Sequence, residues 1–182
     1  MKMSGRLSSI GASLAAGLLL AAPVAAQSAN GKAQLYAGYS FLRTDDGNLN
    51  GLRLSPEFRL KSYAHLVADL SVEKGTLSKS STTLWTFFGG LRLKKGIGSA
   101  AVYVHALAGG VQASSSIKPF SGVSISVSDT SLGLDGGGGI EFKVHGSVKM
   151  RVGADYLRRE VGTGGGKTKN DNDIRATVGF VF

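Results

Sequence analysis

Residues 50–60 read NGLRLSPEFRL, and the alternation in this stretch decides the fold. Leu52, Leu54, Pro56, Phe58 and Leu60 fall on one side of an extended chain, while Arg53, Glu57 and Arg59 fall on the other. A period of two is the signature of a β-strand with two unlike faces. Here one face is wholly apolar and the other carries both signs of charge.

The pattern repeats in both directions along the chain. Upstream, AQLYAGYSFLR (33–43) sets Leu35, Ala37, Tyr39 and Phe41 on one face. Downstream, AHLVADLSVE (64–73) does the same with Leu66, Ala68, Leu70 and Val72, and TTLWTFFGGLRL (82–93) with Trp85, Phe87, Leu91 and Leu93. A fifth strand, AVYVHALAGGVQ (101–112), is apolar or small on both faces, so its facing stays open. SLGLDGGGGIEFKV (131–144), SVKMRVGADYLRRE (147–160) and IRATVGFVF (174–182) complete eight strands. Outside the fifth strand, no charge falls between the apolar residues named on these faces. The opposite faces hold Arg53, Glu57, Arg59, Asp69, Glu73, Arg92, Asp135, Glu141, Lys143, Lys149, Arg151, Asp155 and Arg175, seven basic and six acidic residues.

Two architectures use such strands. A sandwich buries the apolar faces and wets the charges; a membrane barrel turns the apolar faces to lipid and the charges inward. Strands of 9 to 14 residues exceed the soluble mode of about 5–6 and match the roughly 9–11 residues a tilted membrane strand needs. Connections at 44–49, 74–81, 113–130 and 161–173 alternate with shorter ones at 61–63, 94–100 and 145–146, as in barrels with one external and one periplasmic end. Tyr39, Phe41, Trp85, Tyr156 and Phe182 stand near strand ends, where aromatic girdles meet the two interfaces. A secreted lipocalin-like barrel would alternate too, with its faces reversed. The expectation is an all-β, eight-stranded antiparallel up-and-down transmembrane barrel.

The first residues are of another kind. Lys2 and Arg6 precede an apolar run from Ile10 to Ala22, and Val24-Ala25-Ala26 follows. That order predicts a cleavable secretory signal peptide over 1–26, with the barrel domain over 27–182. The run is too short to span about 30 Å of hydrocarbon. Losing Lys2 and Arg6 takes the net charge from +9 to +7. A basic exported chain can meet anionic polymers or lipid headgroups, but its Lys and Arg never cluster beyond two in a row, so no nucleic-acid partner is expected. The 27 glycines are about twice the usual share and follow no collagen period.

YAGYSFLR, HLVADLS, TFFGGLRL, VHALAGGV, GGGGIEFKV, RVGADYLRRE and VGFVF, in that order, make residues 33–182 resemble the small eight-stranded outer-membrane barrels of OmpA and OmpX type in Gram-negative bacteria. The resemblance implies location in the outer membrane, among its lipids and lipopolysaccharide. It also implies that a last strand ending on Phe180 and Phe182 is read by the barrel assembly machinery. Relatives often carry a peptidoglycan-binding domain after the barrel; the sequence stops at the barrel, so that tether is not carried over.

Other motifs fail in context. DGNLNGLRLSPE (46–57) fits an EF-hand loop through Asp46, Asn48, Asn50, Gly51 and Glu57, yet its flanks alternate like strands and hold Pro56. VGTGGGKTK (161–169) misses the phosphate-loop template because Val161 stands where Gly is required. DGGGG (135–139) precedes no helical pattern and instead relieves crowding or kinks a strand. His65, His105 and His145 are scattered and the chain has no cysteine, so no metal site, cofactor or catalytic set is expected. An eight-stranded lumen is just wide enough for side chains, and near-balanced charges within it imply a bracing ion-pair network. The expected role is structural, with surface contact through the loops, chiefly 113–129. A small channel for ions or solutes is the alternative, and a lipid-modifying envelope enzyme is a distant third.

Overall fold

Alternating β-branched, aromatic and small residues favour extended chain over helix, and eight antiparallel strands form: β1 (Ala33–Thr44), β2 (Gly47–Arg59), β3 (Ala64–Leu77), β4 (Ser80–Ile97), β5 (Ala100–Phe120), β6 (Val123–His145), β7 (Val148–Thr163) and β8 (Lys167–Val181). The computed structural model describes residues 32–77, 80–120, 123–163 and 167–182. Each strand pairs with the next, and β8 pairs back to β1, so the sheet is a closed barrel without a free edge. The expected signal peptide lies outside the described residues.

The closing seam runs from Tyr36 opposite Val181 to Arg43 opposite Ile174. One further rung continues it. The Leu35 and Phe182 backbones exchange hydrogen bonds at 3.2 and 3.0 Å. Residues 32 and 182 therefore share one end of the barrel, called here the terminal end, with the turns at 60–63, 98–99 and 146–147. Gly98 and Gly146 open two of these turns at φ of 60° and 55°, where a side chain would strain the backbone. Pro56, with no N–H to give, sits where the β2–β3 ladder is interrupted between Leu54 and Glu57 without a change of register.

The far end, called the hairpin end, departs from the sequence reading. Most residues assigned there to loops continue the strands. β5 and β6 stay paired from Ala113 opposite Asp129 to Ile117 opposite Ile125, and after a register shift Phe120 opposes Val123. Residues 113–120 and 123–129 thus pair as a projecting hairpin. Alternating Ser with Ile and Val suits strand pairing, which explains the extension. The β1–β2 connection likewise shrinks to Asp45 and Asp46, and 94–97 belongs to β4.

Burial fixes which face looks outward. Leu52, Leu132, Leu134, Val104 and Ile174 are 58 to 71% exposed, whereas Arg53, Glu57, Arg92 and Arg175 are at most 3% exposed. Leaving such leucines in water would forfeit about 1.5–3 kcal/mol each, and an apolar belt around a whole barrel is far larger than soluble monomers expose. Acyl chains remove that cost. The fifth strand resolves the same way: Tyr103, His105, Leu107 and Val111 point inward, and Val102 and Val104 outward.

Candidate functional site: a sealed lumen

Inward parity carries polar side chains from every strand to the barrel axis, where they form two charged layers. In the layer nearer the terminal end, Glu57 is fully buried and meets three cations. Arg151 Nη2 lies 2.5 Å and Lys94 Nζ 2.7 Å from its carboxylate, and Arg92 donates to it as well. Glu141 receives Arg151 at 2.5 Å and Lys94 at 2.8 Å. The Arg151 guanidinium sits 4.9 Å from the Tyr36 ring centroid and 5.1 Å from that of Tyr103; Arg92 lies 4.9 Å from Tyr103. Cations over ring faces are attracted by the ring quadrupole. Gly139 and Gly153 make room for this stack, because a Cβ at either position would collide with the Tyr103 hydroxyl. Within the glycine run 136–139, the inward Gly137 and Gly139 are therefore packing space, whereas a Cβ at Gly136 would meet nothing within 4 Å.

The next layer centres on Arg53, which bonds Asp69 through Nε at 2.8 Å, bonds Asp155, and reaches Asp135 at 3.4 Å. Arg175 bridges Asp135 at 3.1 Å and Glu73 at 3.3 Å. Ser40 and Ser71 donate to Glu73 at 2.7 and 2.9 Å. His105 Nε2 lies 3.4 Å from both Asp135 and Asp155. His105, Asp135 and Asp155 bring their ligand atoms within 4.8 Å of one another, a geometry that could hold a metal ion. Arg53 and Arg175 already occupy these carboxylates, and two adjacent guanidiniums repel a cation. The triad is a node of the ion-pair lattice.

Beside the second charged layer and on toward the hairpin end the lumen also holds apolar side chains: Leu84 stands opposite Glu73, Phe88 opposite Asp69, and Leu107 and Leu157 opposite Asp135. Leu42, Leu49, Leu84, Phe88, Leu107, Val111 and Leu157 are each at most 4% exposed and pack together with Val67, with Leu77 and Ala113 against them. This plug was missed in the sequence. Leu84 and Phe88 flank the outward Trp85 and Phe87, so that stretch reads as continuously apolar and hides its second face. Beyond the plug, Arg159 Nε pairs with Asp173 at 2.6 Å.

Of the thirteen charges assigned to the interior, eleven lie within it or at its edge. Lys149, the marginal one, is 28% exposed and 3.8 Å from Glu141. Arg59 and Lys143 are corrections: both have inward parity but sit exposed at the mouth of the terminal end, because the strands stop there. Lys94, His105, Tyr36 and Tyr103 were missed. Lys94 falls in the 94–100 connection of the sequence reading, Tyr103 and His105 stand in the fifth strand, whose facing the sequence leaves open, and Tyr36 stands on the face of the first strand opposite its apolar residues. Of the proposed aromatics, Tyr39, Phe41, Tyr156, Phe180 and Phe182 are 37 to 52% exposed on the outer surface, and Trp85 stacks on Phe87 with centroids 6.4 Å apart. Tyr39 donates to Asn50 at 2.6 Å, where the apolar belt gives way to polar residues.

A closed antiparallel barrel with an apolar outer belt and a charged core is an integral outer-membrane β-barrel. The chain belongs to the outer membrane protein beta-barrel domain family, whose model matches residues 12–182. No curated protein matches it. Among solved structures it is similar to Neisserial surface protein A, with 19% identity and a TM-score of 0.62 over 82% of this chain and 94% of that one. The N-terminal barrel of OprF from Pseudomonas aeruginosa shows 14% identity and a TM-score of 0.54 over 83% and 98%. Ail of Yersinia pestis, in complex with the heparin analogue sucrose octasulfate, shows 16% and 0.55 over 82% and 97%. These likenesses concern the fold.

Proposed function

We propose that this protein is exported by a signal peptide over 1–26 and lives in the outer membrane as a rigid, non-conducting barrel. The terminal end faces the periplasm, and the hairpin end, above all β5–β6, makes contacts at the cell surface. The observation that carries this reading is the double closure of the lumen. An apolar plug of seven large side chains packs alongside a lattice in which each guanidinium is held by carboxylates. A channel needs a continuous wet path, and packed apolar constrictions close such paths by excluding water. The alternative of a small pore is therefore disfavoured.

The Ail barrel, with the same fold, was solved with a sulfated sugar analogue, so this architecture can present a ligand-binding surface. Here β6 is paired only with β5 over 123–132 among the described residues, so the projecting hairpin offers an unpaired edge for strand addition. Replacing residues 114–128 by a two-residue turn should leave a barrel that still shifts on gels when boiled. Adherence of intact cells carrying it should fall to the level of cells without the protein. Unchanged adherence would remove the hairpin from the reading.

Tyr39, Phe41, Trp85, Tyr156 and Phe182 act in this proposal as interfacial anchors among outer-membrane lipids and lipopolysaccharide. Phe180 and Phe182 also act as the mark by which the assembly machinery takes up the last strand. Deleting Phe182 removes one rung of the seam and should lower the heat-modifiable fraction in the outer membrane. A yield equal to wild type would refute that role.

A further inference from the structure

The two ends of the barrel differ in charge. All twelve Asp and Glu side chains of the chain lie either in the lumen or at the hairpin end, and the α-carboxylate of Phe182 is the one anionic group of the sequence at the terminal end. The terminal end exposes no acidic side chain, yet it gathers Lys32, Arg59, Lys61, Lys95, Lys143 and Lys149. Lys143 and Lys149 stand directly opposite each other in the β6–β7 ladder. The Arg59 N–H donates to the Lys32 carbonyl at 2.7 Å, which sets a second pair of cations side by side. Like charges facing across strands are destabilising, and among the described residues Lys32, Lys61, Lys95 and Lys143 make no ion pair.

We infer that this collar docks a carboxylate-bearing polymer, the chemistry of a peptide-crosslinked cell wall. The inference rests on the orientation proposed above, which turns this end to the periplasm. Three features select the partner. Lys32, Arg59, Lys143 and Lys149 have lumen-facing parity, so they ring the aqueous mouth and turn away from the surrounding lipid headgroups. The collar spans β2, β4, β6, β7 and the approach to β1, too wide for one small anion but suited to a polymer with repeated charges. Most of its cations are lysines, flexible point charges that suit spaced single carboxylates; planar bidentate partners favour Arg.

The test uses the full mature chain in nanodiscs of zwitterionic lipid, sedimented with purified peptidoglycan sacculi. Wild type should pellet at about 0.05 M salt and be released at about 0.5 M, as screening shortens. Sacculi whose carboxylates have been amidated should not retain it. The triple variant Lys61→Gln, Lys95→Gln, Lys143→Gln, which leaves the buried lattice intact and should keep its heat-shifted mobility, should lose at least about tenfold in retention. Equal pelleting of the triple variant, or no pelleting of wild type, overturns the collar. Recruitment of vesicles rich in phosphatidylglycerol in place of sacculi overturns it in favour of lipid phosphate. Orientation is read separately by Ser99→Cys and an impermeant maleimide. Labelling in intact cells defeats the orientation itself, whereas protection combined with failed sedimentation defeats the collar alone.

Discussion

Replacing Phe88 and Leu157 together by alanine should turn a silent barrel into a leaky one. Both side chains sit in the apolar plug, at 4% and 0% exposure. Truncating each removes atoms that keep water out of the lumen beside the second charged layer, since Phe88 stands opposite Asp69 and Leu157 opposite Asp135. The cost in packing is about 3–5 kcal/mol for the Phe and 2–5 for the Leu. In planar bilayers, wild type should show no discrete current steps. The double variant should show them, with ion flux raised on the order of tenfold or more. Around and beneath the plug the lumen is already polar. Arg92 Nε, His105 Nδ1, Arg151 Nη1 and Arg175 Nη2 are buried with no protein hydrogen-bond partner among the described residues, and such groups usually bind ordered water. A double variant that stays assembled, shown by its gel shift, yet carries no current would mean that the lattice closes the barrel without help from the plug.

The second large effect concerns Glu57. Three cations converge on this one buried carboxylate. Glu57→Gln keeps the shape and removes the charge, leaving Arg92, Arg151 and Lys94 to repel one another, with only Glu141 to balance them. Breaking a buried pair from one side typically costs about 3–5 kcal/mol. The temperature at which the folded band is lost in detergent should drop sharply. Adding Arg92→Met should recover part of the loss, because the excess positive charge falls by one, and the double-mutant cycle should report strong coupling. If Glu57→Gln melts like wild type, the converging cations are not held by this carboxylate.

Much of this barrel could be read in the sequence because a period of two is a local signal. In β2, Leu52 and Arg53 declare opposite faces within two residues, and the same logic carried β3, β7 and β8. It failed where one face lost its chemical contrast. In β5, Tyr103 and Leu107 point inward while Val104 and Ala106 point outward, and nothing in their hydropathy separates the two sets. The plug was hidden for that reason, since inward Leu84 and Phe88 look like lipid-facing residues until the barrel closes. Strand ends were also hard to place. Ser and Thr near residues 80–83 and 113–116 resemble loop composition, yet cross-strand partners hold them in the sheet; Thr82 and Ser115, for example, bond at 3.0 Å. The meeting of His105 with Asp135 and Asp155 depends on the register of the adjacent strands β5, β6 and β7, in which His105 and Asp155 both oppose Gly137, and has no signature in spacing.

The seam between β1 and β8 is the shortest ladder in extent, whereas β5 and β6 share the longest. Hairpins zip locally, but the seam must bring together residues from opposite ends of the chain, at the largest loss of chain freedom. It should therefore be the last bond row to form during insertion and the first to part under stress. The glycines opposed there, Gly38 and Gly179, let the two backbones approach closely. A barrel of this kind is held shut least firmly at the place where its making is completed.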